Sequence, residues 1–126
     1  MINRTSASPS QKKGLLYEKM ALVYLQKQGL KFLQKNYYCR LGEIDLVMLD
    51  HTTVVFIEVR YRENTVYGDA FDTVDKIKQN KLIKTAQLYL IQQGTYDKVP
   101  ARFDVISICK HQGKPELTWV RNAFQN

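Results

Sequence analysis

From Leu15 to Gln28 the chain is dense in helix formers, and Gly29 stands where a helix would stop. Within that stretch Ala21, Leu22 and Leu25 fall on the same helical stripe as Glu18, through the i+3, i+4 and i+7 offsets. The segment from about Phe32 to Asn36 leads into Tyr38–Leu49, which has strand composition. After a turn at Asp50-His51-Thr52, Thr53–Arg60 is a second strand rich in Val, Ile and Phe, so the two predict an antiparallel hairpin. Glu63 to Asp69 is polar, contains Asn64 and Gly68, and reads as a loop. Asp72 or Thr73 is placed to cap a long helix that runs to about Gln93 and closes at Gly94. Arg102–Cys109 predicts a third strand and Leu117–Arg121 a fourth, with no internal repeat and no second-domain boundary.

This order of elements predicts an α/β layer structure with a mixed central sheet flanked by helices. Parallel pairing of the strand near Phe103 with the hairpin needs a long crossover, and the second helix supplies it.

The hairpin is where the chemistry gathers. A loop centred between His51 and Thr52 places Asp45 opposite Glu58 and Glu43 opposite Arg60, with all four side chains on one face. Like charges opposed across strands are destabilising, the more so beside Val47, Phe56 and Val54. A cation in the gap would reconcile them. Mg²⁺ (or Mn²⁺) suits such a site, since it takes one or two carboxylates, keeps water ligands and completes its shell with phosphate. Arg60 would then hold the phosphate or stabilise developing charge. The plainer alternative is a solvated strand face on which Arg60 pairs with Glu43. Glu18 adds a third carboxylate on an otherwise apolar stripe, costly unless paired or bound to metal; its plainer alternative is a boundary position beside Lys19.

Composition narrows the class. The 126 residues, 44% of them hydrophobic, fit a polar basic arm over residues 1–13 followed by a single domain over 14–126. Cys39 and Cys109 have neither zinc-like spacing nor companions and read as reduced thiols. Met1 to Lys13 lacks the apolar segment of a secretory signal, and no run approaches the ~18 apolar residues of a membrane span, so a cytoplasmic protein without membrane partners is expected. The net charge of +7 favours an anionic partner, nucleic acid first. Arg60, Arg62, Lys78 and Lys81 are the candidate phosphate contacts. Lys78 lines up with Val74, Leu82 and Ala86 and so borders the site, whereas Lys76 and Lys84 read as a solvated face. Tyr37, Tyr38, Tyr61 and Tyr67 flank the carboxylate strands, fit either to stack on unpaired bases or to pack at the sheet edge. His51 and His111 receive no role.

The chain also resembles a known family. Gly14, Glu18 and Ala21, the run Gly42-Glu43-Ile44-Asp45-Leu46, Phe56-Ile57-Glu58-Val59, Lys78-Gln79, and Arg102-Phe103-Asp104-Val105-Ile106 are similar to the YraN family of small bacterial proteins. Those proteins are predicted members of the restriction-endonuclease-like superfamily. The resemblance implies an α-β-β-β-α-β core and a D-X(n)-E-X-K type site. By that pattern Asp45 and Glu58 would be metal ligands, the backbone carbonyl of Val59 would contribute, and Glu18 would match the helix carboxylate that many relatives add. Arg60 departs from the pattern where it expects lysine, and an arginine stays protonated at any relevant pH. The expectation is a metal-dependent endonuclease that binds DNA and hydrolyses phosphodiester bonds. Two alternatives stand beside it: a nucleic-acid-binding module of the same fold without turnover, and an adaptor whose partner is another protein. A homodimer is compatible with each.

Overall fold

The computed structural model describes residues 9–62 and 74–125. Its elements are α1 (Pro9–Lys27), β1 (Lys31–Cys39), β2 (Gly42–Asp50), β3 (Thr53–Arg62), α2 (Lys76–Gln92), β4 (Ala101–His111) and β5 (Lys114–Phe124).

The β2–β3 hairpin forms in the register expected. Asp50 pairs with Thr53, and the ladder continues through Leu49↔Val54, Met48↔Val55 and Val47↔Phe56 to Leu46↔Ile57. His51 takes a φ of 55° at the turn, which lets two residues close the hairpin along the natural strand twist. The ladder ends there, so neither expected pairing beyond it, Asp45 with Glu58 or Glu43 with Arg60, forms a rung. On its other edge β2 pairs Glu43 with Tyr38 of β1.

That difference traces to a second hairpin. The stretch Tyr38–Leu49 is two strands, not one: β1 turns at Arg40-Leu41, with Cys39 paired to Gly42. Arg40-Leu41 carries no turn chemistry, so Gly42 is the local signal. Its φ is 156°, and a Cβ there would stand 2.9 Å from Thr85 Oγ1 of α2. Only glycine lets the start of β2 lie this close to the helix.

β4 joins β3 in parallel, Phe56 opposite Phe103, with α2 as the crossover, and β5 returns antiparallel to β4. The sheet order is β1-β2-β3-β4-β5. The result is a mixed α/β fold in the order α-β-β-β-α-β-β, compatible with a restriction-endonuclease-like core. Tyr17, Ala21 and Leu25 of α1 pack on Leu46, Val55, Ile57 and Ile106. On the other face Leu82, Ala86 and Tyr89 of α2 pack on Val47, Phe56 and Phe103. Each such side chain, fully buried, contributes about 1.5–3 kcal/mol before entropy is charged against it.

Both helix boundaries differ from expectation. α1 begins at Pro9, inside the stretch 1–13 expected as an arm; proline is compatible with a helix's first turn because the N–H it lacks would have no intrahelical partner there. α2 is capped by Asp75, whose side chain accepts from the Lys78 N–H at 2.8 Å. The expected caps Asp72 and Thr73, the loop Glu63 to Asp69, and Tyr67 lie outside the described residues. Both cysteines are free, and no described helix is long and apolar enough to cross a membrane.

Candidate functional site

The two hairpins part company at Asp45. Val47 faces α2, Leu46 and Met48 face α1, and strict alternation would then send Ile44 to the α1 side. Ile44 packs on the α2 side instead. The alternation therefore slips by one residue at Asp45. In β1 the position between Lys35, opposite Leu46, and Tyr37, opposite Ile44, is Asn36, whose φ is 52°. Asparagine visits this left-handed region more readily than other side-chain-bearing residues, so it absorbs the kink at modest cost.

Where β2 bends away from β3, the Asp45 side chain takes over the backbone's role. Val59 donates its N–H to Asp45 Oδ2 at 2.8 Å. Glu58, immediately past the last Leu46↔Ile57 rung, is 8% exposed, and its charge acts directly on the Asp45 carboxyl. Burial pushes the Asp45 carboxyl up to about 8, helped by the charges of Glu58 and Glu18 and opposed by the Val59 hydrogen bond. Two carboxyls this close resist simultaneous ionisation, which favours the protonated form of Asp45.

Glu18 approaches from α1. Its carboxyl is hydrogen-bonded by Asn36 and sits within the fields of Glu43, Lys35 and Glu58. Burial raises its pKa, the Asn36 bond lowers it, and the net shift is upward. Tyr17, the residue before it, stacks on Tyr61 of β3 with centroids 3.9 Å apart and rings 10° from parallel, which locks this turn of α1 to the strand. From the other face, Lys78 of α2 places Nζ 2.5 Å from Glu58 Oε2. Lys78 therefore borders the site, as its stripe on the helix indicates.

Asp45, Glu58 and Val59 are thus brought together, with Glu18 held alongside by Asn36. No group of three acidic, histidine or cysteine side chains converges as a metal cage among the described residues. The donor set is instead a carboxylate pair next to a strand backbone. A pair of hard oxygen ligands that leaves positions to water fits Mg²⁺ or Mn²⁺ and does not fit a closed zinc site. Arg60 and Arg62 follow on β3, opposite Ser107 and Cys109. Lys81 is exposed on α2, where its carbonyl accepts from Thr85 Oγ1 at 2.8 Å.

The tyrosines divide by environment. Tyr37 is buried, packs edge-on against Tyr89 and donates to Gln92 Oε1 at 2.6 Å. Tyr61 lies in the stack with Tyr17, and Tyr38 is 76% exposed. A groove of about 700 Å³ lies elsewhere, floored by Phe56, Phe103 and Phe124 with Tyr96 and Arg121 on its lining, and includes none of the predicted site residues.

Two features escaped the sequence reading. Nothing in the sequence marked Asn36 as Glu18's partner. Asp104, inside the apolar run Phe103-Asp-Val-Ile, is completely buried and accepts from Arg102 Nε at 3.0 Å, Trp119 Nε1 at 2.9 Å and the Asn122 N–H at 2.8 Å. Arg102 also reaches Asp50 Oδ2 at 2.9 Å. Burial lowers the Arg102 pKa, its bonds to the two aspartates raise it, and the net shift is upward. An acidic residue in a run otherwise suited to a doubly covered strand is the signal that could have found this cluster.

The model of the family described as uncharacterised protein family UPF0102 matches residues 17–108. A protein of Stutzerimonas stutzeri is 50% identical over 119 residues, 94% of this chain and 99% of the relative. One from Psychromonas ingrahamii is 51% identical over 116 residues, 92% of each chain. A Pseudomonas fluorescens protein is 50% identical over 109 residues, 86% of this chain and 89% of the relative. All three carry the name UPF0102 protein.

Proposed function

The chain belongs to the uncharacterised protein family UPF0102, the YraN family, and from its carboxylate site we propose a metal-dependent phosphodiester hydrolase acting on nucleic acid, DNA in the first instance. One observation carries the reading: the Asp45 and Glu58 carboxyls lie within each other's field where β2 leaves β3, with the Val59 amide bound to Asp45. Two neighbouring carboxylates, one buried and one half-buried, cost stability, and a hard divalent cation between them would relieve that cost. Asp45, Glu58 and the Val59 carbonyl would hold Mg²⁺ or Mn²⁺, with Glu18 adding charge beside them. Bound there, the ion would act as a Lewis acid on a phosphate and lower the pKa of an attacking water.

The chain's own residues supply the rest. Asp45 must release its proton for the pair to bind a cation. Arg60, Arg62, Lys78 and Lys81 would contact backbone phosphates, and the net charge of +7 would draw a polyanion to them. Such contacts position a nucleic acid without reading its sequence. A nucleic-acid substrate fits a cytoplasmic location, and cutting both strands of a duplex would call for two copies of the chain.

Arg60 favours a second reading, a binding module of the same fold without turnover. Arginine binds phosphate well but cannot accept a proton at working pH. The test is incubation of the purified protein with branched, single-stranded and duplex DNA plus Mn²⁺, beside Arg60→Lys and the Asp45→Ala, Glu58→Ala double variant. Cleavage by the natural chain and by Arg60→Lys, absent from the double variant, supports the enzyme. Cleavage by Arg60→Lys alone supports the binding module. Equal Mn²⁺ affinity of the natural chain and the double variant in calorimetric titration would sink both metal readings.

A further inference from the structure

Lys78 combines a fixed pivot with a loose arm. Its backbone N–H is held by the Asp75 cap at 2.8 Å, and its neighbour Gln79 donates to the Val74 carbonyl at 2.6 Å, so the first turn of α2 is clamped. Its side chain is 53% exposed, yet the ammonium rests on Glu58, whose side chain is only 9% exposed. The ion pair therefore joins a nearly buried carboxylate to an arm with open solvent along much of its length. Lysine suits such a post, since its compact charge rides on a flexible four-carbon stem and is not bound to one planar geometry.

Glu58 Oε2, which the ammonium touches, belongs to the carboxylate proposed above to hold a divalent ion. Two cations cannot both take full advantage of one carboxylate, because each reduces the field the other experiences. Arg60, two residues past Glu58, extends from the strand, whereas Lys78 reaches Glu58 from the facing helix.

We infer that Lys78 is a two-position positioning residue: it is the counter-ion of Glu58 in the ion-free protein, and its ammonium turns to a phosphodiester of the substrate once Glu58 serves a divalent cation. The inference rests on the metal reading of the Asp45/Glu58 pair. It assigns Lys78 a task that a fixed structural ion pair does not have, namely linking occupancy of the carboxylates to the grip on a polyanion. No proton leaves the ammonium in either position; what changes is its partner.

The link has a thermodynamic signature. Without the ammonium, Glu58 would have no competing cation, so Lys78→Gln would bind Mn²⁺ more tightly, by about three- to tenfold for a half-exposed pair. Lys78→Arg, which retains the charge, would stay close to the natural chain. Polyanion binding would respond in the opposite sense. With Ca²⁺ present, Lys78→Gln would lose about one phosphate contact, seen as a drop of about 0.9 in the slope of log affinity against log salt for a labelled DNA duplex. In EDTA the slope would be unchanged, because Lys78 then remains on Glu58.

Calorimetric titration with Mn²⁺ and fluorescence anisotropy with the duplex, in Ca²⁺ and in EDTA, test this without reference to cleavage. Tighter Mn²⁺ binding by Lys78→Gln together with a Ca²⁺-dependent loss of slope supports the inference. Unchanged or weaker Mn²⁺ binding by Lys78→Gln overturns it while leaving the metal site standing. An equal loss of slope in Ca²⁺ and in EDTA also overturns it, since Lys78 would then be an ordinary phosphate contact. If the natural chain and the Asp45→Ala, Glu58→Ala variant titrate alike, the metal reading fails and takes this inference with it.

Discussion

Val59 gives its backbone N–H to Asp45 Oδ2 at 2.8 Å, just past the last regular rung between β2 and β3. A side chain thus takes the place of a main-chain acceptor where the ladder ends, and satisfies a donor that would otherwise be lost. The same bond holds the carboxyl beside Glu58. Fold and candidate chemistry meet in this one contact.

The first consequence concerns pH. In the folded, ion-free protein Asp45 titrates near 8, against 3.8 for an ordinary aspartate. Between these values the native state keeps a proton that the unfolded state has released. Stability should therefore fall as pH rises through that window, by at most about 1.4 kcal/mol per pH unit for one proton. Urea unfolding at a series of pH values in EDTA should show the decline, and Asp45→Asn should flatten it. A natural chain whose stability rises from pH 5 to pH 8 would refute this protonation.

Gly42 is a packing constraint as well as a turn residue. Alanine there would put its Cβ 2.9 Å from Thr85 Oγ1, at a φ of 156°. We expect Gly42→Ala to lose about 2 kcal/mol of stability through overpacking and backbone strain. Thr85→Ala removes the clashing oxygen, so the double variant should lose less than the sum of the two single losses. Thermal or urea melts of the four proteins decide it, and strict additivity would mean that the contact is not the cause.

How far the sequence could disclose this arrangement depended on local signals. The His51-Thr52 turn has two residues, so counting outward from it gave the register down to Leu46↔Ile57 correctly, where the ladder ends short of the expected Asp45–Glu58 rung. Counting failed at the next position, because the kink at Asp45 is set by its neighbour strand and by the conformation of Asn36. Periodicity within Tyr38–Leu49 alone cannot reveal that. Nor could it reveal the turn at Arg40-Leu41, since those residues favour no particular turn and the glycine that permits it follows the turn. The stripe of Glu18 with Ala21 and Leu25 was legible because both apolar residues are wholly buried on it. The partners of Glu18 and Asp104 were not, because each is met only across the tertiary fold.

Asp104 should be among the most sensitive positions for stability. It receives Arg102, Trp119 and the Asn122 amide while completely buried. Asp104→Ala would leave a half-buried guanidinium with Asp50 as its remaining described carboxylate partner, and an indole N–H without the acceptor it now has. A loss of about 3–5 kcal/mol follows from breaking a buried pair on one side. Asp104→Asn keeps an acceptor oxygen and should cost less. Denaturant unfolding of both variants is the check; equal losses would show that charge contributes nothing beyond shape.

Asn36 allows backbone strain and site chemistry to be separated. Its φ of 52° costs a residue with an ordinary Cβ about 1–2 kcal/mol, while glycine adopts it freely. Its side chain also bonds the Glu18 carboxyl, lowering a pKa that burial raises. Asn36→Ala should therefore be less stable than the natural chain, and Asn36→Gly should recover most of that loss. Both variants remove the same hydrogen bond, so both should raise the Glu18 pKa further and to a similar extent. Chemical-shift titration of the Glu18 carboxyl carbon in each variant, beside urea unfolding, reads the two effects separately. If glycine recovers no stability, the kink does not depend on the conformation of Asn36. If the Glu18 titration is unmoved in both variants, the bond from Asn36 does not hold that carboxylate beside Asp45.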